Sequence, residues 1–211
     1  MADFIFKLNP NIVIGSYTAS RLGQYVHEWG KRFFVILDPI LKELKMADKI
    51  LQPLAEHKVE TIVFSELGDG TSTKTVARAL TLAKEGHVHG IIAIGGSKAL
   101  TIGRAVAAYY NEVHDLYTFA GGALPNTQPI PCICVPTTYR FPYIFTNDLP
   151  LTDSRNRQVK FLKVQNNVCK LALVDSNLML SLTENQKATL SLDILNLAIE
   201  AYISQKSNFF G

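Results

Sequence analysis

Apolar runs and one-sided helical stripes alternate along most of this chain. Residues Asn11 to Ile14 form a short apolar run ending at Gly15, and the next segment places Leu22, Tyr25, Val26 and Trp29 at i, i+3, i+4 and i+7 before Gly30. That spacing predicts a strand followed by an amphipathic helix. The unit recurs: Phe33 to Leu37 stops at Asp38-Pro39, and Ala47, Ile50, Leu51 and Leu54 repeat the helical stripe. Ile62 to Phe64 makes a third strand, and Ser72 can cap a helix carrying Val76, Ala79, Leu80 and Ala83 that Gly86 closes in a left-handed turn. Ile91 to Ile94 follows, then Ser97 opens a helix striped by Ile102, Ala105, Val106 and Tyr109.

Strands apolar on both faces, each followed by a one-sided helix, are what a parallel sheet covered on both sides requires. The pattern therefore predicts an α/β fold, a doubly wound and mostly parallel sheet, over residues 1–180. A loop rich in Gly, Pro and Asn from Gly121 to Pro131 leads to a buried strand at Ile133 to Val135 and then to Pro136-Thr137-Thr138; Gln158 to Val164 and Leu171 to Val174 read as further strands. The segment Glu184 to Ser204 has helical length but carries Leu190, Leu192, Ile194, Leu195, Leu197, Ile199 and Ile203 around nearly its whole circumference. A helix apolar all round needs neighbours on several sides. Only Gln205 to Gly211 follow it, ending in Phe209-Phe210-Gly211, and they cannot supply a partner helix. Residues 181–211 are thus expected to open a helical domain that is truncated or missing, or to be covered by a partner chain, as in a homo-oligomer.

Composition narrows the picture by exclusion. At 211 residues and 47% hydrophobic content the chain can bury a full core. Its net charge of +3, from 21 basic and 18 acidic residues, is spread without the block of like charge that marks a nucleic-acid or membrane surface. Cys132, Cys134 and Cys169 form neither an even disulfide set nor a C-x-x-C metal pair, and the C-I-C spacing puts two thiols on one side of a strand. The start MADFIFKLNP lacks the basic and apolar regions of a signal peptide, and no apolar run approaches the ~20 residues of a membrane span. A reduced, cytoplasmic protein is the expectation.

The sharpest chemical signal is Ile94-Gly95-Gly96-Ser97 between a strand and a helix. Glycines let backbone approach a diphosphate, and the helix N-terminus offers free N–H donors and partial positive charge, although a tight βα turn also favours glycine. The usual fingerprint G-x-G-x-x-G follows the first strand, where this chain has Gly15-Ser16-Tyr17, so an ordinary Rossmann assignment fails. Asp38, at the end of a strand, can accept hydrogen bonds from an adenosine ribose and repel a 2′-phosphate, or can be a turn acid before Pro39. Gly68-Asp69-Gly70 matches the glycine–acid–glycine loop of NAD kinase-like and lipid kinase-like enzymes and equally an everyday turn. The five histidines, His27, His57, His87, His89 and His114, include no i, i+4 helical pair, and no G-x-S-x-G elbow occurs.

At Ile94-Gly95-Gly96-Ser97, Pro136-Thr137-Thr138, Thr152-Asp153 through Lys160-Phe161, Val174-Asp175 and Asp193 to Ser204 (DILNLAIEAYIS), the chain resembles the iron-containing alcohol dehydrogenase family. The resemblance implies a Rossmann-like, dehydroquinate synthase-like N-terminal domain that binds NAD or NADP, a helical C-terminal domain that holds iron or another divalent metal, and a small alcohol or aldehyde as substrate. It further implies that Gly95, Gly96 and Ser97 hold the pyrophosphate, Asp38 faces the ribose, Thr137 and Thr138 line the cleft and Lys160 lies near the nicotinamide. Asp193 matches the first metal ligand, but the family's histidine one turn later falls on Leu197. The family's triple glycine begins here with Ile94, its acid after the serine falls on Leu100 and its following lysine on Gly103, and bulky Tyr139-Arg140-Phe141-Pro142-Tyr143 replaces small residues. Two expectations follow: an oxidoreductase by descent that is inactive or impaired as this chain, or a non-catalytic nucleotide-binding or assembly module derived from that family.

Overall fold

The computed structural model describes residues 9–205. Along the chain run β1 (Asn11–Gly15), β2 (Arg32–Leu37), β3 (Glu60–Phe64), β4 (Gly90–Gly95), β5 (Cys132–Pro136), β6 (Asp148–Thr152), β7 (Val159–Lys163) and β8 (Cys169–Asp175). Interleaved with them are α1 (Leu22–Val26), α2 (Pro39–Glu43), α3 (Ala47–Glu56), α4 (Thr73–Glu85), α5 (Ser97–Tyr109), α6 (Leu116–Ala120) and α7 (Glu184–Ile203). Six strands pair in parallel in the order β1-β8-β5-β4-β2-β3.

The period of two along β2 separates two cores. Phe33, Val35 and Leu37 pack with Leu22, Val26, Ile50 and Leu54 of α1 and α3 on one face, while Phe34 and Ile36 pack with Val76, Ala79, Ile102 and Val106 of α4 and α5 on the other. Helices on both faces make the sheet doubly wound, as the apolar runs predict. The chain leaves β2 for β3 on one side and returns to place β4 on the other, so the direction of winding reverses between β2 and β4. Ligand crevices of open α/β sheets lie at such a reversal, outside the carboxyl ends of the strands.

Several expectations need correction. The stripe from Leu22 to Trp29 is not one α-helix: α1 is flanked by 3₁₀ turns at Thr18–Arg21 and His27–Trp29. Ser72 caps α4, its hydroxyl accepting the Thr75 N–H at 3.1 Å, but Gly86 has a right-handed φ of −74° and His87, at φ 47°, turns the chain. Gly86 is needed for space instead, because a Cβ there would come within 2.5 Å of Ile62 Cδ1. Helix α5 is buried all round from Ala99 to Tyr109 rather than on one side, since the antiparallel hairpin of β6 and β7 covers its outer face and Tyr109 donates its hydroxyl to Lys163 O. The strand expected at 158–164 is β7 of that hairpin, outside the main sheet; its partner β6 carries Pro150, which masks a strand signal.

The three cysteines are reduced and buried, with Cys132 and Cys134 sulfurs 3.9 Å apart on one face. Helix α7 starts with a Thr183–Gln186 capping box and has no buried residue; Leu195 is 56% exposed and Ile203 71%. Phe209-Phe210-Gly211 and most of the N-terminal segment lie outside the described residues. Among the described residues no helix is long and apolar enough to cross a membrane.

The long loop before β5 is pinned by buried Glu112, whose Oε1 accepts the N–H groups of Asn126 and Thr127 and the Thr127 hydroxyl at 2.8 to 2.9 Å. Burial pushes this carboxyl up, but the bonds from Thr127 and Asn126 outweigh it and hold it below its ordinary value. A depressed carboxylate contributes stability above its unfolded pKa and loses it as pH falls through the folded one. Glu112→Gln should cost about 1.5–3 kcal/mol at neutral pH, and urea titrations should show the gap to wild type closing as pH drops below the usual carboxylate range.

Candidate functional site

Three neighbouring strands end side by side at the winding reversal. Asp38 donates its backbone N–H to Ile94 O at 2.9 Å, and Thr137 donates its own to Gly95 O at 3.0 Å, so the tips of β2, β4 and β5 are tied together. The two glycines between β4 and α5 serve different ends. Gly95 has φ +147°, and a Cβ there would lie 2.6 Å from Asp38 Cβ and 2.9 Å from Ala99 Cβ. Gly96 has an ordinary φ of −79°, and a Cβ there would meet nothing closer than Thr138 Cγ2 at 3.5 Å. Gly95 therefore lets the chain turn, and Gly96 leaves open space in front of α5. No side chain caps α5, which leaves the N–H groups of its first turn to face a ligand or solvent.

Asp38 is the turn acid that its place before Pro39 allows, and it also reaches the turn after β4. Its Oδ1 caps α2 by accepting the Ile40 N–H, and its Oδ2 accepts the Gly96 N–H, each at 3.4 Å. Bonds this long leave carboxylate acceptor capacity for a ligand.

A cleft of about 480 Å³ opens here, lined by Asp38, by Gly96, Ser97, Lys98, Leu100, Thr101 and Arg104 at and along α5, and by Thr138, Arg140, Phe141, Pro142 and Tyr143 after β5. The volume is within the range of small-molecule sites. Of the residues named from sequence, Asp38, Gly96, Ser97 and Thr138 line the cleft, Gly95 shapes the turn behind it, and Thr137 is buried beneath. Lys160 stands apart: it lies on β7 opposite Leu151, away from the cleft lining, where its charge helps hold Asp153 low behind the larger effect of Arg155. Gly68-Asp69-Gly70 is an everyday turn, closed by Gly70 N–H to Leu67 O at 3.0 Å with Gly70 at φ +65°. Arg104 was missed; a charged residue within the apolar stretch from Ile102 to Ala108 was the available signal.

Asp193 of α7 is ion-paired with the cleft residue Arg140, Oδ2 lying 2.8 Å from Nη1 without a well-directed hydrogen bond. Leu197, one turn on, is 43% exposed and has no donor atom. His89 Nδ1 accepts the backbone N–H groups of Lys31 and Arg32, and among the described residues no group of three His, Cys, Asp or Glu side chains could hold a metal. A lone carboxylate already neutralised by a guanidinium does not fit a divalent cation.

A doubly wound parallel sheet with an open crevice at its reversal defines the class of this domain. The chain belongs to the iron-containing alcohol dehydrogenase family, whose model matches residues 9–176. It is 29% identical over 183 residues to the 1,3-propanediol dehydrogenase of Citrobacter freundii, a match covering 85% of this chain and 47% of that protein. Its fold is that of a 1,3-propanediol oxidoreductase (TM-score 0.88, 23% identity, 99% of this chain and 55% of the other). The same fold is seen in the sulfoacetaldehyde reductase of Bifidobacterium kashiwanohense solved with NAD+ (TM-score 0.87, 18% identity, 97% and 55%). The chain spans about half the length of the relatives it matches.

The glycine pair can be told apart by stability. Gly95→Ala should cost about 1–3 kcal/mol in denaturant titrations, from a left-handed φ and the clash with Asp38, whereas Gly96→Ala should stay within about 0.5 kcal/mol of wild type.

Proposed function

We propose that this chain is the NAD(P)-binding half of an alcohol dehydrogenase-like oxidoreductase. One observation carries the reading: the uncapped N-terminus of α5 and the open space at Gly96 face a crevice whose other wall is Asp38. A pyrophosphate seated there would meet backbone donors and the positive end of a 13-residue helix. Asp38 would accept the ribose hydroxyls and disfavour a 2′-phosphate, so NAD is preferred over NADP. The NAD+ in the sulfoacetaldehyde reductase of like fold supports this. Membership of the family adds a small alcohol or aldehyde as the second ligand, while Lys160, on β7 away from the cleft lining, has no part in this reading.

The metal half of the reaction has no support in these residues, and we derive no step through it. Residues 1–180 are the nucleotide-binding unit in this reading, and 181–211 open a helical region whose exposed apolar α7 is covered by a further domain or a partner chain. The Arg140–Asp193 pair and Leu197 favour a second reading, a nucleotide-binding or assembly module without catalysis.

Calorimetric titration with NAD and NADP, followed by metal analysis, tests both. Saturable NAD binding is expected, with NADP at least tenfold weaker, a difference of about 1.4 kcal/mol. Gly96→Val, which puts a branched side chain into the crevice, should weaken NAD at least as much, and metal should be far below one per chain. Stoichiometric iron with alcohol-dependent reduction of NAD would restore the full enzyme; if neither nucleotide binds, the proposal is overturned.

A further inference from the structure

Arg104 is a buried cation with no counter-charge. It is 2% exposed and stands between the cleft and an adjoining cavity of about 550 Å³ lined by Thr146, Asn147 and Cys169, contributing to the lining of both. Its Nη1 donates to Asp148 O at 3.2 Å and its Nη2 to Thr146 O, while its Nε has no partner. Among the described residues no carboxylate pairs with it: the Asp148 side chain is taken by Lys163. The other titratable groups around it stay neutral. Burial pushes the Tyr109 phenol up, and hydrogen bonding among the cysteines, then burial, pushes the Cys134 and Cys169 thiols up. Carbonyl dipoles satisfy some of the guanidinium's donors but do not cancel its charge, and an unpaired buried charge is costly.

Its position in the cleft says what would pair with it. Ser97, Leu100, Thr101 and Arg104 are at i, i+3, i+4 and i+7 on the face of α5 that lines the cleft, which puts Arg104 about 10 Å along the axis from the phosphate turn at 1.5 Å per residue. Asp38, the one acidic residue in the lining, is at the opposite end. Of the other cations in the lining, Lys98 sits at the helix N-terminus and Arg140 is already paired with Asp193, so an anion entering this cleft is drawn to two separate places, the helix N-terminus and Arg104. A 2′-phosphate on the adenosine would be on the Asp38 side, so it is not the second anion.

We propose that Arg104 makes the inner end of the cleft an oxyanion subsite, and that the small molecule taken up beside the nucleotide carries a carboxylate or phosphoryl group rather than being a neutral alcohol. This rests on the nucleotide reading for the identity of the first ligand, though not for the subsite itself. A guanidinium presents a planar fork of N–H donors that matches such a group. The competing role for Arg104 is a mechanical one, tethering α5 to the turn before β6, which its two carbonyl bonds would serve with the cleft empty.

The Arg104 Nε–H is buried and unbonded, so in nitrogen-15-labelled full chain its resonance reports the subsite directly. Acetate, inorganic phosphate and the neutral isostere acetamide are titrated with and without saturating NAD. Acetate or phosphate should shift that resonance saturably and acetamide should not; the tighter of the two anions names the carboxylate or the phosphoryl source. Arg104→Lys should bind several-fold more weakly and Arg104→Gln at least tenfold; if Arg104→Gln does not fold, the wild-type titration and Arg104→Lys still decide. A resonance unmoved by both anions, or moved equally by acetamide, leaves only the tether and overturns the subsite. NAD binding with an unmoved Arg104 would sink the subsite alone, and an anion response without NAD binding would sink the nucleotide reading alone.

Discussion

The close approach of two strand ends is the constraint on which this molecule depends. Where β4 leaves the sheet, the backbone at Gly95 passes Asp38 so nearly that any Cβ would overlap it, and the same turn must deliver the chain to the first residue of α5. Glycine at that point lets β2 and β4 end in register, bonded through Asp38 N–H to Ile94 O. From that contact follow the crevice at the winding reversal, the uncapped helix N-terminus facing it and the placement of an acid beside that terminus.

The charges around the crevice are arranged differently from those a metal-dependent reaction needs. The bulky segment after Thr138 brings Arg140 to Asp193, so a guanidinium occupies the carboxylate that the family's pattern assigns to a metal. Deeper in the cleft a second guanidinium, Arg104, is held by two carbonyls and faces no carboxylate. A divalent ion among these cations would meet repulsion, and the two carboxylates nearest to it are already engaged, Asp193 by Arg140 and Asp38 by the Gly96 N–H.

The outer layers are unequal. On one face of the sheet the β6–β7 hairpin and the turn before it enclose α5, which is why that helix is buried all round; against the sheet itself it packs so closely that a Cβ at Gly103 would come 2.5 Å from Ala93 Cβ of β4. By contrast α7 has a similar all-round apolar character and no buried residue. The two helices differ in what surrounds them, not in pattern.

The strands and the order of helices were legible because a strand buried on both faces must be a continuous apolar run, and a helix packed on one side must show its stripe. Ile94-Gly95-Gly96-Ser97 and Asp38 could likewise be picked out, since a turn that tight and an acid at a strand end leave residue types few other positions need. Local rules failed where neighbours distant in sequence intervene. His87 rather than Gly86 takes the left-handed turn, while Gly86 leaves room for Ile62, and β6 was hidden by Pro150 until β7 paired with it. Periodicity and turn chemistry thus determined the strands of the main sheet, their alternation with helices and the glycine turn between β4 and α5. Only tertiary structure decided that Arg104 is buried without a counter-ion, that Arg140 reaches Asp193 and that Lys160 stands outside the cleft, because the pairing of charges depends on distances across the fold that no spacing along the chain encodes.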